Sequence, residues 1–429
     1  MASALLLATG IVVARALGPT GKGFYDLAVG SAMLLTTFSG LSLPSGIFFY
    51  ASRGPLAYRR LLLVLGCIAV TEAVVVTALL AAFGDTPVFA WMLPGGPRWT
   101  AALLIGLLLL GLQSQQLVQG VVKGRGEFAT FAGSEVLARG GTLILVGMLL
   151  VGGVMRPEPY VLSFGLATLA AAGLLTSSVL SAPPSSDALP LRAMLEYSLP
   201  LFLGNVVQFL NYRVDIFFVK NYTGLSAVGT YTVAVWLAQI VWLVPNALAS
   251  LVLRAVAERD GSGAMGRVAA VTRATLALSV VTGLALAALG SLGIAPVFGN
   301  AFRGSVPALL LLMPGTILFC PTIVLSAYLN GIQRQAFTTW VACIALVVTG
   351  VLNILLVPRI GIQGAAIAST CSYAASTLAT LVLVRRFNPG LSLKTLLLAR
   401  RSDLRFAFDA LRAGAARVRG IPWQHDESG

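Results

Sequence analysis

Ionisable side chains are rare inside the long apolar stretches of this chain, and chemistry is to be sought at the few that are there. A charge near the centre of a membrane is costly and is a functional candidate by default. In the stretch 128–153, Glu135 and Arg139 stand four residues apart, so they can pair on one helical face. At ~1.5 Å of rise per residue from Phe128 they lie about 10 and 16 Å deep. Such a pair either fixes helix packing or offers a guanidinium to an anion, with the carboxylate holding it or taking a proton. Glu72 reaches a similar depth, about 18 Å from Arg60. It either joins Glu135 and Arg139 in one cluster or stands protonated and hydrogen-bonded between helices.

The stretch 195–219 carries Asn205, Gln208, Asn211, Tyr212, Arg213 and Asp215. At about 100° per residue, all but Arg213 share a face about 120° wide. A polar stripe of this kind faces a cavity or bonds to neighbouring helices. Arg213 points elsewhere, near the end of its stretch, where snorkelling is the alternative explanation. Gln113, Gln115, Gln116 and Gln119 spread around more than one face, so they do not all line a cavity. Gln239 and Asn246 are seven residues apart and extend the polar surface. Arg15 is expected to anchor its helix at the interface.

The elements that must position these groups are transmembrane helices. Residues 27–52, 159–186, 226–253, 274–302, 304–333, 335–358 and 360–384 contain no Asp, Glu, Lys or Arg. A run of about 18 such residues is long enough to cross the hydrocarbon layer. Apolar residues make up 57% of the chain and charged residues 10%, against about 25% charged in a soluble protein. The chain therefore reads as an all-α polytopic membrane protein with twelve helices, near 1–17, 24–51, 60–83, 99–121, 128–153, 158–181, 195–219, 226–253, 274–296, 304–328, 336–357 and 361–384. The first is short, and no basic region precedes it as in a signal peptide; a truncated or misassigned start is the expectation it raises. Pro44, Pro245, Pro307, Pro314 and Pro321 lie inside these spans and are expected bending points.

The Pro- and Ser-rich segment 182–194 reads as a linker between two six-helix lobes, 1–181 and 195–386, with a basic tail at 387–429. An internal repeat supports this division. Gly23-Phe24-Tyr25-x-x-Ala28 recurs as Gly229-Thr230-Tyr231-x-x-Ala234, and Arg125-x-x-Phe128 as Arg334-x-x-Phe337. Six helices per lobe keep both repeats in the same topology, with an expected cavity between them.

The net charge of +14 would suggest nucleic acid in a soluble protein, but here the positive-inside bias explains it, and no nucleic-acid partner is expected. With both termini cytoplasmic, the inner loops hold eleven Lys and Arg and the outer loops six, Lys22 among the latter. The tail adds nine more, with Leu404, Phe408, Leu411, Ala415 and Val418 on one helical face. It reads either as a basic amphipathic helix on the inner leaflet or as a solvated tail. Cys67, Cys320, Cys343 and Cys371 all sit in apolar stretches without metal-ligand spacing, and the single His425 excludes His-based metal sites. No Gly-rich loop ending in Lys-Ser or Lys-Thr marks an ATPase. The longest outer loop, 84–98, is too short to be the catalytic loop of a membrane glycan polymerase or ligase.

The segment ARALGPTGKGFYDLAVG at 14–30 resembles the junction of the first two helices in polysaccharide and O-antigen flippases, of the multidrug/oligosaccharidyl-lipid/polysaccharide flippase superfamily. Residues 196–253 resemble that family's helices 7 and 8, including the Asp215 position, and GIQGAAIAS at 361–369 resembles the start of helix 12. The resemblance implies a MATE-like flippase fold in a bacterial plasma membrane. It implies export of a polyprenyl-diphosphate-linked oligosaccharide from the inner to the outer leaflet by alternating access, for O-antigen, capsule or exopolysaccharide synthesis. Arg139 would then bind the diphosphate, and Glu135, Glu72, Asn205, Gln208, Tyr212, Arg213 and Asp215 would line the path. No cofactor or metal is expected, and an H+ or Na+ gradient would drive transport through Glu72, Glu135 or Asp215. Membrane lipid, a polysaccharide polymerase and glycosyltransferases are the partners the resemblance implies. Twelve helices argue against a fourteen-helix peptidoglycan-precursor flippase. A cation-coupled MATE-type exporter of drugs or small metabolites is the alternative.

Overall fold

The computed structural model describes residues 2–54, 56–181, 190–257, 264–388 and 392–397. The expected amphipathic tail and most of the expected linker lie outside them. The described residues are helical throughout. The helices are α1 (Ala2–Ser39), α2 (Leu43–Ala51), α3 (Tyr58–Phe83), α4 (Pro87–Ala90), α5 (Arg98–Gly124), α6 (Phe128–Val151), α7 (Pro157–Leu180), α8 (Leu191–Thr223), α9 (Leu225–Gln239), α10 (Leu243–Ala257), α11 (Ala264–Phe298), α12 (Ser305–Gly331), α13 (Gln335–Ile360), α14 (Ile362–Phe387) and α15 (Leu393–Leu397). A single 3₁₀ turn, Ile240–Trp242, joins α9 to α10.

Eleven helical segments among the described residues are long and apolar enough to cross a membrane. The first of these, α1, is two arms in one. Gly18 breaks it with φ 65° and ψ −172°, and Pro19 opens the second arm. That backbone region is essentially reserved for glycine. The two arms correspond to the first two of the twelve expected spans. The expected span 24–51 also divides, between Ser39 and Leu43. The protein is a multi-pass membrane protein: apolar side chains such as Leu63, Val151 and Leu292 point outwards, where lipid is their natural solvent.

Two compact units emerge from the packing. The first comprises Met1–Val233, Ile294–Gly304 and Val357–Ile362. Its core includes Tyr25, Ala28, Ala102, Ile105, Tyr160 and Phe164, all buried. Within it α2 is closely embraced: a Cβ on Gly46 would meet the Ser198 hydroxyl of α8, and Cβ atoms on Gly120 and Gly124 of α5 would meet the α2 region. Small residues let helices approach without a hydrophobic driving force between them.

The second unit comprises Ala234–Gly293, Ser305–Leu356 and Gln363–Gly429. Trp242, Phe319 and Tyr373 form an aromatic trio with centroids 5.1–5.4 Å apart. The Trp242 indole donates to the Thr316 carbonyl at 3.1 Å. The prolines of α12 are not left as free hinges. Thr370 of α14 donates to the Leu311 carbonyl at 2.6 Å and Thr377 to the Leu318 carbonyl at 2.8 Å. Each acceptor lies three residues before a proline, Pro314 or Pro321, where the helical ladder is interrupted.

The repeat seen in the sequence recurs in the backbone. Gly224 ends α8 with φ 87° and ψ 179°, the same conformation as Gly18, 206 residues earlier. Positive φ also recurs at Gly126 and Gln333, and at Gly153 and Gly361.

Candidate functional site

The second arm of α1 and helix α9 cross inside the first unit at their repeat-related glycines. A Cβ on Gly23 would lie 1.9 Å from the Leu225 carbonyl oxygen, and one on Gly229 would lie 2.0 Å from that of Pro19. Pro19 and Leu225 are themselves 206 residues apart, so each arm rests the carbonyl of its first residue on the other arm's glycine. The contact is symmetric, and neither position has room for a side chain.

One turn beyond the crossing lies a buried ion pair. Lys22 and Asp26 are paired at i, i+4, with side chains 1% and 5% exposed. The same Asp26 oxygen, Oδ2, accepts a hydrogen bond from the Thr232 hydroxyl of α9. Asp26 and Thr232 again differ by 206 residues. The second carboxylate oxygen of Asp26 is buried with no hydrogen-bond donor among the described residues. Lys22 was expected in an outer loop. It lies instead in the first turns of a buried helical arm, because the chain turns within a single residue, Gly18, and helix resumes at once. The expected inside bias of Lys and Arg keeps its direction without it.

Asp215 of α8 is buried and accepts from the Tyr231 hydroxyl of α9 at 2.6 Å, and from the Ile216 amide at 2.8 Å. Arg213 is within electrostatic reach of Lys22. At the other end of the α8 stripe, Asn205 donates to the Ser42 hydroxyl at 2.8 Å. Gln208 hydrogen-bonds Tyr212, one turn on. The two ends of the stripe therefore bond to neighbouring helices.

Glu135 and Arg139 of α6 pair at 3.7 Å, each about a quarter exposed. Gln119 and Gln115 of α5 donate to the other Glu135 oxygen at 2.8 and 3.4 Å. The Arg139 guanidinium stands 5.5 Å from the centroid of the Phe164 ring of α7. Its Nη1 is buried without a hydrogen-bond partner among the described residues. Glu72 of α3 does not meet this pair in a hydrogen bond or ion pair. It accepts from Ser39 at 3.5 Å. Gln115 and Gln119 thus turn to Glu135, while Gln116 is exposed and Gln113 is buried away from them. Arg15 donates to the Val297 carbonyl at 2.7 Å and to that of Pro296. It so caps the last turn of α11, where helix carbonyls lack partners and the dipole favours a cation. The Lys220 ammonium likewise donates to the Ala90 carbonyl.

Sequence reasoning missed Lys22, Asp26, Tyr231 and Thr232. The signal was present: a Lys and an Asp at i, i+4 beside a glycine whose repeat partner stands 206 residues on. Among the described residues no group of three His, Cys, Asp or Glu side chains is placed to hold a metal.

No family model matches the chain. It is 24% identical over 285 residues to the probable low-salt glycan biosynthesis flippase of Haloferax volcanii, a match covering 64% of this chain and 59% of the relative. The matched part is thus less than two thirds of that protein's length. Among solved structures, the chain resembles the lipid II flippase MurJ in an inward closed conformation, with a TM-score of 0.74, 13% identity, and 99% of this chain and 92% of the other covered. It also resembles an inward-facing multidrug resistance MATE family transporter of the MOP superfamily, with a TM-score of 0.66, 16% identity, and 91% and 95% covered. A MOP superfamily transporter from Pyrococcus furiosus follows at a TM-score of 0.62 and 15% identity, with 90% and 92% covered. The chain therefore has the all-helical fold shared by MurJ and the MATE transporters of the MOP superfamily.

Proposed function

We propose that this protein translocates a polyprenyl-diphosphate-linked oligosaccharide from the inner to the outer leaflet of a bacterial plasma membrane, for surface polysaccharide synthesis. The carrying observation is Arg139. It is a guanidinium in a membrane-spanning helix whose only acid among the described residues is 3.7 Å away, with Nη1 unbonded. Glu135 divides its acceptor capacity between Arg139 and two glutamines. Arg139 therefore keeps donor capacity for a phosphate oxygen, which a guanidinium binds in bidentate fashion. The relative's description as a glycan biosynthesis flippase supports the substrate class.

In this reading the six-helix lobes 1–181 and 195–386 alternate their access about the path, with the termini and the tail in the cytoplasm. The Gly23–Gly229 crossing, with the Asp26–Thr232 bond one turn on, is the closed outer end. Asn205, Gln208, Tyr212, Arg213 and Asp215 contribute to the path from α8, and Glu72 to ion coupling. A polymerase and glycosyltransferases are the enzymes expected to consume and supply the lipid-linked glycan.

The test is deletion of the gene in its host, with lipid extracts analysed by mass spectrometry and leaflet accessibility probed in inverted vesicles. Accumulation of one diphosphate-linked glycan on the inner leaflet, rescued by wild type and not by Arg139→Ala, is expected. Unchanged glycolipids with altered drug or metabolite efflux would assign the chain to small-molecule export instead.

A further inference from the structure

Three helices each send one polar side chain to the same four-residue break between α1 and α2. Glu72 of α3 meets Ser39 at 3.5 Å. Asn205 of α8 meets Ser42 at 2.8 Å. Gln113 of α5 lies against Gly40, its amide Nε2 and Oε1 only 2.8 and 3.0 Å from where a Gly40 Cβ would sit. We propose that this break is a sodium site, with Glu72 supplying the charge and the Gln113 amide a buried oxygen ligand.

The Gln113 amide points to a ligand. The residue is 1% exposed, and both polar atoms of its side chain lack a hydrogen-bond partner among the described residues. A buried amide with neither donor nor acceptor satisfied is unfavourable. The backbone beside it is also short of partners. The Leu43 amide donates to the Gly40 carbonyl at 2.8 Å instead of continuing the ladder to Ser39. The Ser39 carbonyl has therefore lost its helical donor, as carbonyls do where an interrupted membrane helix coordinates an ion.

The charge argument selects the ion. Glu72 lies in a membrane-spanning helix and pairs with no Lys or Arg among the described residues. A carboxylate there needs a cation or a proton. The ligands on offer are a carboxylate, an amide, hydroxyls and a carbonyl, all oxygen, which suits a hard cation. A single carboxylate balances one positive charge, not two. The site is separate from the Glu135–Arg139 pair, where the carboxylate already has its cation. Sodium as the coupling ion deepens the transport reading and rests on it, whereas binding itself is measured without substrate.

The experiment is equilibrium binding of radiosodium to the purified full-length protein in detergent, with potassium and choline as competitors. Saturable binding, resisted by choline, is expected. Glu72→Gln, which is isosteric, and Gln113→Asn, which withdraws the amide by one methylene, should each weaken it by about tenfold or more, as for a lost or misplaced ligand. Asp85→Asn, an exposed carboxylate paired with Arg98, should leave it unchanged. Absence of saturable sodium binding would overturn the proposal, and so would full binding by a well-folded Glu72→Gln protein. Proton uptake at Glu72 without sodium binding would overturn it too. None of these outcomes depends on glycan translocation, so the flippase reading stands or falls separately.

Discussion

Replacing Gly229 by alanine tests the symmetric crossing most directly. The new Cβ would lie 2.0 Å from the Pro19 carbonyl oxygen. Carbon–oxygen contacts between packed helices run at about 3.3 Å or more, so the two arms must part by about 1.3 Å. The neighbour here is backbone in the first turn of a helix, which has no rotamer to give. Overpacking of this kind costs about 1–3 kcal/mol. The parting also stretches the Thr232–Asp26 hydrogen bond, three residues along α9, and a bond to a charged acceptor contributes about 1.5–3 kcal/mol. Taking about 3 kcal/mol for the sum, the closed crossing loses about two orders of magnitude in population against any arrangement that separates the arms.

The assay uses a cysteine at Val228, which is wholly buried beside Gly229, in a background with Cys67, Cys320, Cys343 and Cys371 replaced. Labelling by a membrane-impermeant maleimide from outside should be slow with Gly229 and much faster with alanine. Gly173→Ala, where a Cβ meets nothing within 4 Å, should leave it slow. Equal labelling in the Gly229→Ala and parent proteins, at equal expression, would refute the argument that the crossing holds the arms together.

Asp26→Asn removes the counterion of a fully buried lysine and should lower stability by about 3 kcal/mol or more, read as thermal unfolding in detergent. The double change Lys22→Met with Asp26→Leu should recover much of that loss, because no orphan charge remains. Tyr231→Phe takes a hydrogen bond from the buried Asp215 carboxylate and should cost about 1–3 kcal/mol by the same measurement. Gly18→Ala meets no neighbour within 4 Å, so its expected loss of about 1–3 kcal/mol is backbone strain alone. An unchanged melting temperature would show that the break relaxes. Arg139→Ala should weaken binding of a polyprenyl diphosphate to the purified protein by about tenfold or more, with Arg139→Lys intermediate, since lysine offers a point charge without the guanidinium fork.

Membrane insertion, helix number and the break after residue 17 were legible because they depend on local composition. An apolar run longer than the hydrocarbon thickness has one stable solution, and a Gly-Pro pair ends a helix wherever it falls. The i, i+4 pairing of Glu135 with Arg139 was equally local. The interruption at Gly40–Ser42 was not legible. Leu41 and Ser42 take positive φ there, and nothing in their side chains favours that; neighbouring helices hold the conformation. The prolines of α12 read as hinges by local rules, yet their freed carbonyls are bonded by threonines almost 60 residues away.

The sequence by itself determined the solvent, the helices and the 206-residue repeat, because hydropathy, glycine and spacing act over a few residues. Only the tertiary structure decided that Gly23 meets Gly229, that Lys22 is a core residue and not a loop cation, and that Asp26 reaches Thr232. Those outcomes depend on which helix lies beside which, and a buried charge is recognisable only once the partner that neutralises it and the walls that exclude water are in place.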